Sequence, residues 1–188
     1  MLKTTLMSGL LAIFLATGGQ AACPDPDDIS AEMEALFDKA RTAETFMEGR
    51  AVSAEMWEVW LRAPDEAAQE ILDAGMQRRG SFDFLGAIAQ FDRLTDYCPT
   101  YAEGFNQRAF VNFLREDYEA ALVDLDVALK LQPRHVGAQS GRALTLMKLG
   151  RLEEARAQLQ EAVANNPWLS ERALLADGAP LGPVGEDI

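Results

Sequence analysis

The sequence EDYEAALVDLDVALKLQP, residues 116–133, recurs in outline as FDFLGAIAQFDRLTDYCP at 82–99 and as GRLEEARAQLQEAVANNP at 150–167. The three stretches end at Pro99, Pro133 and Pro167, which are 34 residues apart. A fixed period of this length indicates an array of one repeated supersecondary unit. Proline lacks a backbone N–H and clashes with the preceding turn, so each stretch predicts a helix that ends at its proline.

Small and bulky residues recur at the same interval. The small positions are Gly75, Ala109 and Ala143, and then Ala87, Ala121 and Ala155. The larger positions are Phe84, Tyr118 and Leu152, then Phe91, Leu125 and Leu159, followed by Leu94, Ala128 and Ala162. Small residues let two helices approach closely, and bulky residues fill the space towards the next unit. The pattern therefore predicts stacked pairs of helices.

These positions resemble the tetratricopeptide repeat (TPR). The resemblance implies an all-α, right-handed superhelical solenoid of antiparallel helix pairs, with repeats at 68–101, 102–135 and 136–169. A narrower resemblance spans about residues 56–175, where the phrases at 98–109, 129–138 and 166–172 are similar to exported TPR proteins of alphaproteobacteria. It implies a place in the bacterial cell envelope, and no activity comes with it.

Helices are also predicted outside the three repeats. Residues 29–64 carry apolar residues at helical spacing and predict a helical pair, either a degenerate repeat or an N-terminal cap. Trp57 and Trp60 are expected in its core, with a role in binding as the alternative. Residues 170–176 predict a capping helix that covers the last repeat, and residues 177–188 predict a disordered tail. The sequence leaves open whether residues 29–63 extend the stack or cross its groove.

The first 22 residues predict a secretory signal peptide. Lys3 precedes an apolar run over residues 6–16, and small residues follow up to residue 22. We therefore expect an exported, periplasmic protein, with residues 23–28 as a linker.

Cys23 and Cys98 are the two cysteines of the chain. In an oxidising compartment they would form a disulfide. The alternative is lipid attachment at Cys23, which follows the expected cleavage point, although Gln20 departs from the aliphatic residue of a lipobox.

Charge and composition narrow the function. The formal net charge of −13 argues against nucleic acid and anionic membrane surfaces as partners. Two distant cysteines and one histidine, His135, do not have the spacing of a zinc site, and no phosphate-binding glycine loop is present. No cofactor and no metal are expected. No nucleophile motif surrounds a serine, so His135 is expected to pack or hydrogen-bond between repeats.

The first helix of each pair is expected to line a concave groove. The resemblance places these partner-binding candidates there: Leu72, Met76, Arg79, Asn106, Phe110, Phe113, Leu144, Met147 and Lys148. One TPR subclass grips a C-terminal carboxylate with basic and amide residues, but Leu72, Met76, Gly137 and Gly141 stand at those positions. The remaining groove is apolar and suits an apolar peptide or an amphipathic helix. Core packing or self-association is the competing role for the same side chains.

The sequence thus predicts a non-catalytic protein-interaction module, an adaptor or envelope assembly factor, with a protein or peptide partner. Two alternatives remain. One is a lipid-anchored subunit of an envelope complex, and the other is an enzyme with an unrecognised site near His135.

Overall fold

The computed structural model describes residues 22–183. The predicted signal peptide therefore lies outside the described residues, except for residue 22. The described part is all helical: α1 Ser30–Thr42, α2 Phe46–Trp60, α3 Glu66–Gly80, α4 Phe84–Tyr97, α5 Ala102–Leu114, α6 Tyr118–Leu131, α7 Val136–Lys148, α8 Leu152–Asn165 and a 3₁₀ helix Ser170–Leu175. None of these helices is long and apolar enough to cross a membrane.

Helices α3 to α8 form three stacked pairs, which confirms the predicted all-α solenoid. The pairing follows from the small residues of the repeat. A Cβ atom on Gly75 in α3 would lie 2.4 Å from Cε1 of Phe91 in α4, so only glycine permits this approach. Phe91, Leu94 and Leu72 are fully buried in the first pair.

The turn inside each pair has a left-handed residue at the same repeat position. These residues are Phe82 (φ 63°), Glu116 (φ 63°) and Gly150 (φ 74°). The helix that follows is capped by Asp83 in the first pair and by Asp117 in the second. Each carboxylate accepts a hydrogen bond from the backbone N–H three residues later, that of Gly86 or Ala120. A residue that leaves the right-handed region lets the chain reverse between two antiparallel helices.

The N-terminal pair, α1 and α2, does not extend the stack on the side of α3. Its buried cluster includes Val136 from α7 and is flanked by Leu169, whereas α3 contributes no residue to it among those described. The indole of Trp168 lies on Gly49 of α2, where a Cβ atom would come within 2.0 Å of its Cγ, and donates to the Ala40 carbonyl over 2.9 Å. The pair therefore crosses the groove from the first repeat to the third. Of the two arrangements that the sequence leaves open, this is the one in which residues 29–63 do not extend the stack.

Residues 177–183 differ from the prediction of a disordered tail over residues 177–188, and residues 184–188 lie outside the described residues. Leu181 is fully buried beside α8, and Arg156 donates to the carbonyl oxygens of Leu181 and Gly182 over 2.9 and 2.7 Å. The buried Leu181 side chain and the two hydrogen bonds from Arg156 hold this stretch, which is rich in glycine and proline, on the last repeat. The segment at 170–176 predicted as a capping helix is the 3₁₀ helix, and Leu174 and Leu175 pack on the same core.

Cys23 and Cys98 form a disulfide with their Cα atoms 5.2 Å apart. The bond joins the segment before α1 to the end of α4 and closes a loop with a sequence separation of 75. It therefore ties the N-terminal pair to the first repeat by a covalent link, in addition to the α2–α3 connection.

Candidate functional site

The concave side of the stack holds a cavity of about 340 Å³. Its walls come from α3, α5 and α7, the first helices of the three repeats, and from α2 of the N-terminal pair. Much of the lining is apolar: Trp57, Leu61, Met76, Ala109, Phe110, Phe113, Leu125 and Leu144. Polar groups enter at Arg79, Asn106, Gln107, Ser140, Thr145 and Glu171. We call this cavity the groove.

The structure brings most of the predicted groove residues together. Met76, Arg79, Asn106, Phe110, Phe113 and Leu144 line the groove. Three others do not line it. Leu72 is fully buried in the core of the first repeat, Met147 packs on the core of the third, and Lys148 is exposed on the last turn of α7. A helix face is wider than the cavity it lines, which is why the flanking positions fall outside.

Phe110 is the most open aromatic side chain of the groove, with 46% of its surface exposed. The guanidinium of Arg79 lies over its ring, 4.9 Å from the centroid. Phe113 is held edge-to-face against Tyr118, with the ring centroids 5.4 Å apart. Two aromatic rings fixed in this way offer a rigid apolar floor at low entropic cost.

Trp57 is the groove residue that sequence reasoning placed in the core. It is 37% exposed, and a Cβ atom on Gly137 would lie 2.5 Å from its Cη2 atom. Trp60, one turn on, is buried and stacks on the His135 ring at 4.2 Å between centroids. Gly137, at a concave position of α7, is the feature of the sequence that leaves room for the Trp57 side chain.

A buried carboxylate organises the polar floor. Glu103 is 1% exposed and accepts hydrogen bonds from Asn106 Nδ2 at 3.0 Å, from Gln107 Nε2 and from His135 Nε2 at 2.8 Å. Gln107 in turn accepts from Arg79. Burying a carboxylate without such donors would cost several kcal/mol, so the three donors explain why a charge is tolerated here. The network fixes α5 against both α3 and α7.

His135 is fully engaged in this network. Its Nδ1 atom accepts the Ala138 backbone N–H at 3.2 Å and caps α7, so the ring proton lies on Nε2, which donates to Glu103. The ring is 1% exposed and covered by Trp60. Both ring nitrogens are therefore engaged by hydrogen bonds within the protein.

Two side chains that carry a formal charge line the groove, Arg79 and Glu171. Burial lowers the pKa of the Arg79 guanidinium from the ordinary value, and the nearby Glu103 carboxylate acts in the opposite direction. The Tyr101 hydroxyl donates to the Trp60 carbonyl over 2.8 Å, and burial, with the charges of Glu103 and Asp73, raises its pKa. Tyr101 therefore acts as a neutral donor that pins the end of α2. Among residues 22–183 no group of three His, Cys, Asp or Glu side chains is placed to hold a metal ion.

A solenoid of helical hairpins with an apolar concave groove defines the class of this protein. The sequence profile of the tetratricopeptide repeat family matches residues 113–176. The chain is 36% identical over 76 residues to a tetratricopeptide repeat protein 36 homolog of Nematostella vectensis, which is 40% of this chain and 41% of that protein. It is 42% identical over 52 residues to a TPR repeat-containing protein of Rhizobium etli, 28% of this chain and 26% of that one.

Among solved structures, the first TPR of Spaghetti (RPAP3) bound to the HSP90 peptide SRMEEVD superimposes with a TM-score of 0.55. The identity is 22%, and the match covers 56% of this chain and 84% of that one. An Arabidopsis OM64 TPR domain gives a TM-score of 0.56 at 18% identity, covering 58% and 90%. The profile match therefore places residues 113–176 in a tetratricopeptide repeat, and the superpositions show that the chain has the fold of a TPR solenoid. It spans less than half the length of the two relatives that it matches.

Proposed function

We propose that this protein is a non-catalytic interaction module that binds an apolar peptide or helix of a partner protein in its groove. The observation that carries the proposal is the open apolar cavity of about 340 Å³ on the concave side, with Phe110 half exposed at its floor. Pockets that bury an anchor side chain combine such a lining with a few placed polar groups. The structural neighbour Spaghetti binds a peptide with the same helical scaffold, which supports a peptide as the occupant.

The groove favours a partner that inserts one or two large apolar side chains. Trp57 of α2 and Leu61, the residue after α2, close one side of the groove, and Glu171 borders it as well. A long peptide would therefore insert an anchor side chain into the groove while the rest of its chain lies outside. Arg79 and the amide groups of Asn106 and Gln107 also line the groove, where they can form hydrogen bonds with polar groups of the partner beside its anchor side chain. This differs from a grip on a terminal carboxylate, because Met76, Gly137 and Gly141 present no charge to the cavity.

The test is a selection from a displayed library of random peptides, followed by calorimetry with the selected peptides. We expect the selected sequences to share a large apolar anchor and to lose more than tenfold in affinity with Phe110→Ala, because truncating a hot-spot residue costs about 2 kcal/mol or more. The matched control is Val123→Ala on α6, an exposed apolar residue outside the groove. Equal binding by wild type, Phe110→Ala and the double variant Phe110→Ala, Phe113→Glu would rule out the groove as the site.

An exported, periplasmic location is part of the proposal. It is supported by the signal-peptide pattern at residues 1–22 and by the Cys23–Cys98 disulfide, a bond typical of oxidising compartments. Lipid attachment would need the Sγ atom of Cys23 that the disulfide uses, so the two modifications exclude each other on one molecule. Cell fractionation tests the location, and metabolic labelling with a fatty acid tests the anchor: label on Cys23 would favour the lipoprotein.

A further inference from the structure

The N-terminal pair is fastened to two different repeats. At the third repeat, Trp168 lies on Gly49 of α2, and Asn166 donates to the Ser53 hydroxyl over 2.8 Å. At the junction of the first two repeats, Tyr101 holds the Trp60 carbonyl at the C-terminal end of α2. The pair therefore spans the groove opening, and Trp57 on its inner side becomes a wall of the groove.

The segment before α1 covers the same end of α2. Pro26, Asp27 and Ile29 border a small cavity together with Val59, Trp60 and Tyr101. Cys23 packs on the core cluster of the first repeat, beside Leu61 and Ala63. The disulfide between Cys23 and Cys98 therefore holds the start of this covering segment against the first repeat.

The two sulfur atoms differ in access. Cys98 is 1% exposed at the end of α4, whereas Cys23 is partly exposed. A thiolate from solvent can therefore approach Sγ of Cys23, with the sulfur of Cys98 as the leaving group. The bond is thus placed where exchange can open it without prior unfolding of the repeats.

We propose that the Cys23–Cys98 disulfide is a redox latch that holds α2 in place as a wall of the groove. A dithiol reductant opens the latch. One of its thiolates attacks Sγ of Cys23, the sulfur–sulfur bond breaks, and Cys98 leaves as a thiolate that takes up a proton. The second thiol of the reductant then displaces Cys23 from the mixed disulfide, and the reductant departs as its own cyclic disulfide. The chain gains two electrons and two protons.

Opening the latch releases residues 22–29 from α2 and uncovers the Tyr101–Trp60 bond to water. The C-terminal end of α2 then loosens, and Trp57 and Leu61 move with it. The floor at Phe110 opens as a result, while α5 to α8 keep their own periodic contacts. A dependence of peptide binding on oxidation would follow from the proposed function, but the latch itself is defined by the motion of α2 and needs no partner for its test.

The test is hydrogen exchange of the full chain, followed by mass spectrometry, with and without dithiothreitol. Alkylation of both thiols confirms that the bond is open. We expect backbone amides of residues 56–60, at the C-terminal end of α2, to exchange about tenfold faster or more after reduction, and those of residues 118–131 in α6 to remain unchanged. Hydroxyl-radical footprinting in the same samples should show higher reactivity at Trp57 and Phe110.

Unchanged protection of α2 with both thiols alkylated would overturn the latch, as would unchanged footprints at Trp57 and Phe110. Uniformly faster exchange in every helix would also overturn it, because the bond would then stabilise the whole fold and not one wall. Cys23→Ser should reproduce the reduced pattern without reductant. If that variant fails to fold, the wild-type chain with dithiothreitol still decides the question.

Discussion

The three repeats and the N-terminal pair are all helical hairpins, yet they are held by different kinds of contact. In the repeats one set of contacts recurs every 34 residues. Arg108 binds Asp124 over 2.6 Å, and 34 residues further on Arg142 binds Gln158 over 3.2 Å. The N-terminal pair instead depends on single contacts that have no counterpart elsewhere among residues 22–183, such as Trp168 on Gly49 and Trp60 on His135.

The difference shows how this molecule divides stability from function. Nearest-neighbour contacts in a repeat array add up along the stack and can form in any order. The N-terminal pair makes contacts far apart in the sequence, between residues near 49 and residues near 168, which close a much longer loop than the contacts between neighbouring repeats. It also supplies Trp57 to the groove. The stack is therefore the frame, and the non-periodic pair completes the wall of the groove.

The largest expected effect lies in the repeat core. Phe91→Ala should lower the free energy of unfolding by about 4 kcal/mol, since it removes a fully buried ring and leaves a cavity against Gly75. Urea denaturation followed by circular dichroism measures it. Leu85→Ala in the same helix is the control, because Leu85 is 71% exposed and its truncation should change stability by less than about 0.5 kcal/mol. Equal effects of the two changes would contradict the packing described here.

The sequence predicts the frame because its determinants repeat. Gly75, Phe91 and Leu94 can be recognised as core residues from the positions that they share with later repeats, and the structure buries all three. The same reasoning identifies six groove residues but misplaces three: Leu72 and Met147, which pack on the cores of their own pairs, and Lys148, which is exposed outside the groove.

The route of the N-terminal pair could not be predicted in the same way. Shifting Trp57 by one repeat aligns it with Phe91, which suggests a core position, but α2 does not stack on α3. Its place depends on Trp168, more than a hundred residues away in the chain, and on the surface offered by Gly49. A contact that occurs once does not recur at the 34-residue interval, so the repeat pattern of a single sequence cannot reveal it.

The contact between Gly49 and Trp168 gives the next prediction. Alanine in place of a mid-helix glycine usually stabilises by about 1 kcal/mol. Gly49→Ala should instead cost about 3 kcal/mol, because the new methyl group overlaps the indole of Trp168. Hydrogen exchange should show the loss in α1 and α2. Gly80→Ala is the control, since a Cβ atom there has no neighbour within 4 Å, and it should be neutral or stabilising. Stabilisation by both changes would mean that the pair is not docked on Trp168.

The buried carboxylate joins the two regions and should give a smaller effect. Glu103→Gln should lower the free energy of unfolding by about 2 kcal/mol. His135, Asn106 and Gln107 all donate to this carboxylate, and the NH₂ group of a glutamine would face at least one of these donors without an acceptor. Thermal unfolding measures the loss. Glu154→Gln, at an exposed ion pair with Arg151, is the matched control and should change little. A neutral Glu103→Gln would show that the network does not support the groove.

The smallest effect distinguishes the repeats from one another. Phe82 and Glu116 adopt the left-handed conformation that Gly150 adopts in the third repeat, and a side chain with a Cβ atom is strained there. Phe82→Gly and Glu116→Gly should each stabilise by about 0.5 kcal/mol in urea denaturation, after the larger entropy of glycine in the unfolded chain is offset. Gly150→Ala should destabilise by about 1 kcal/mol. If Phe82→Gly alone destabilises, its edge-to-face contact with Phe84, with ring centroids 6.1 Å apart, outweighs the backbone strain, although the ring is 81% exposed.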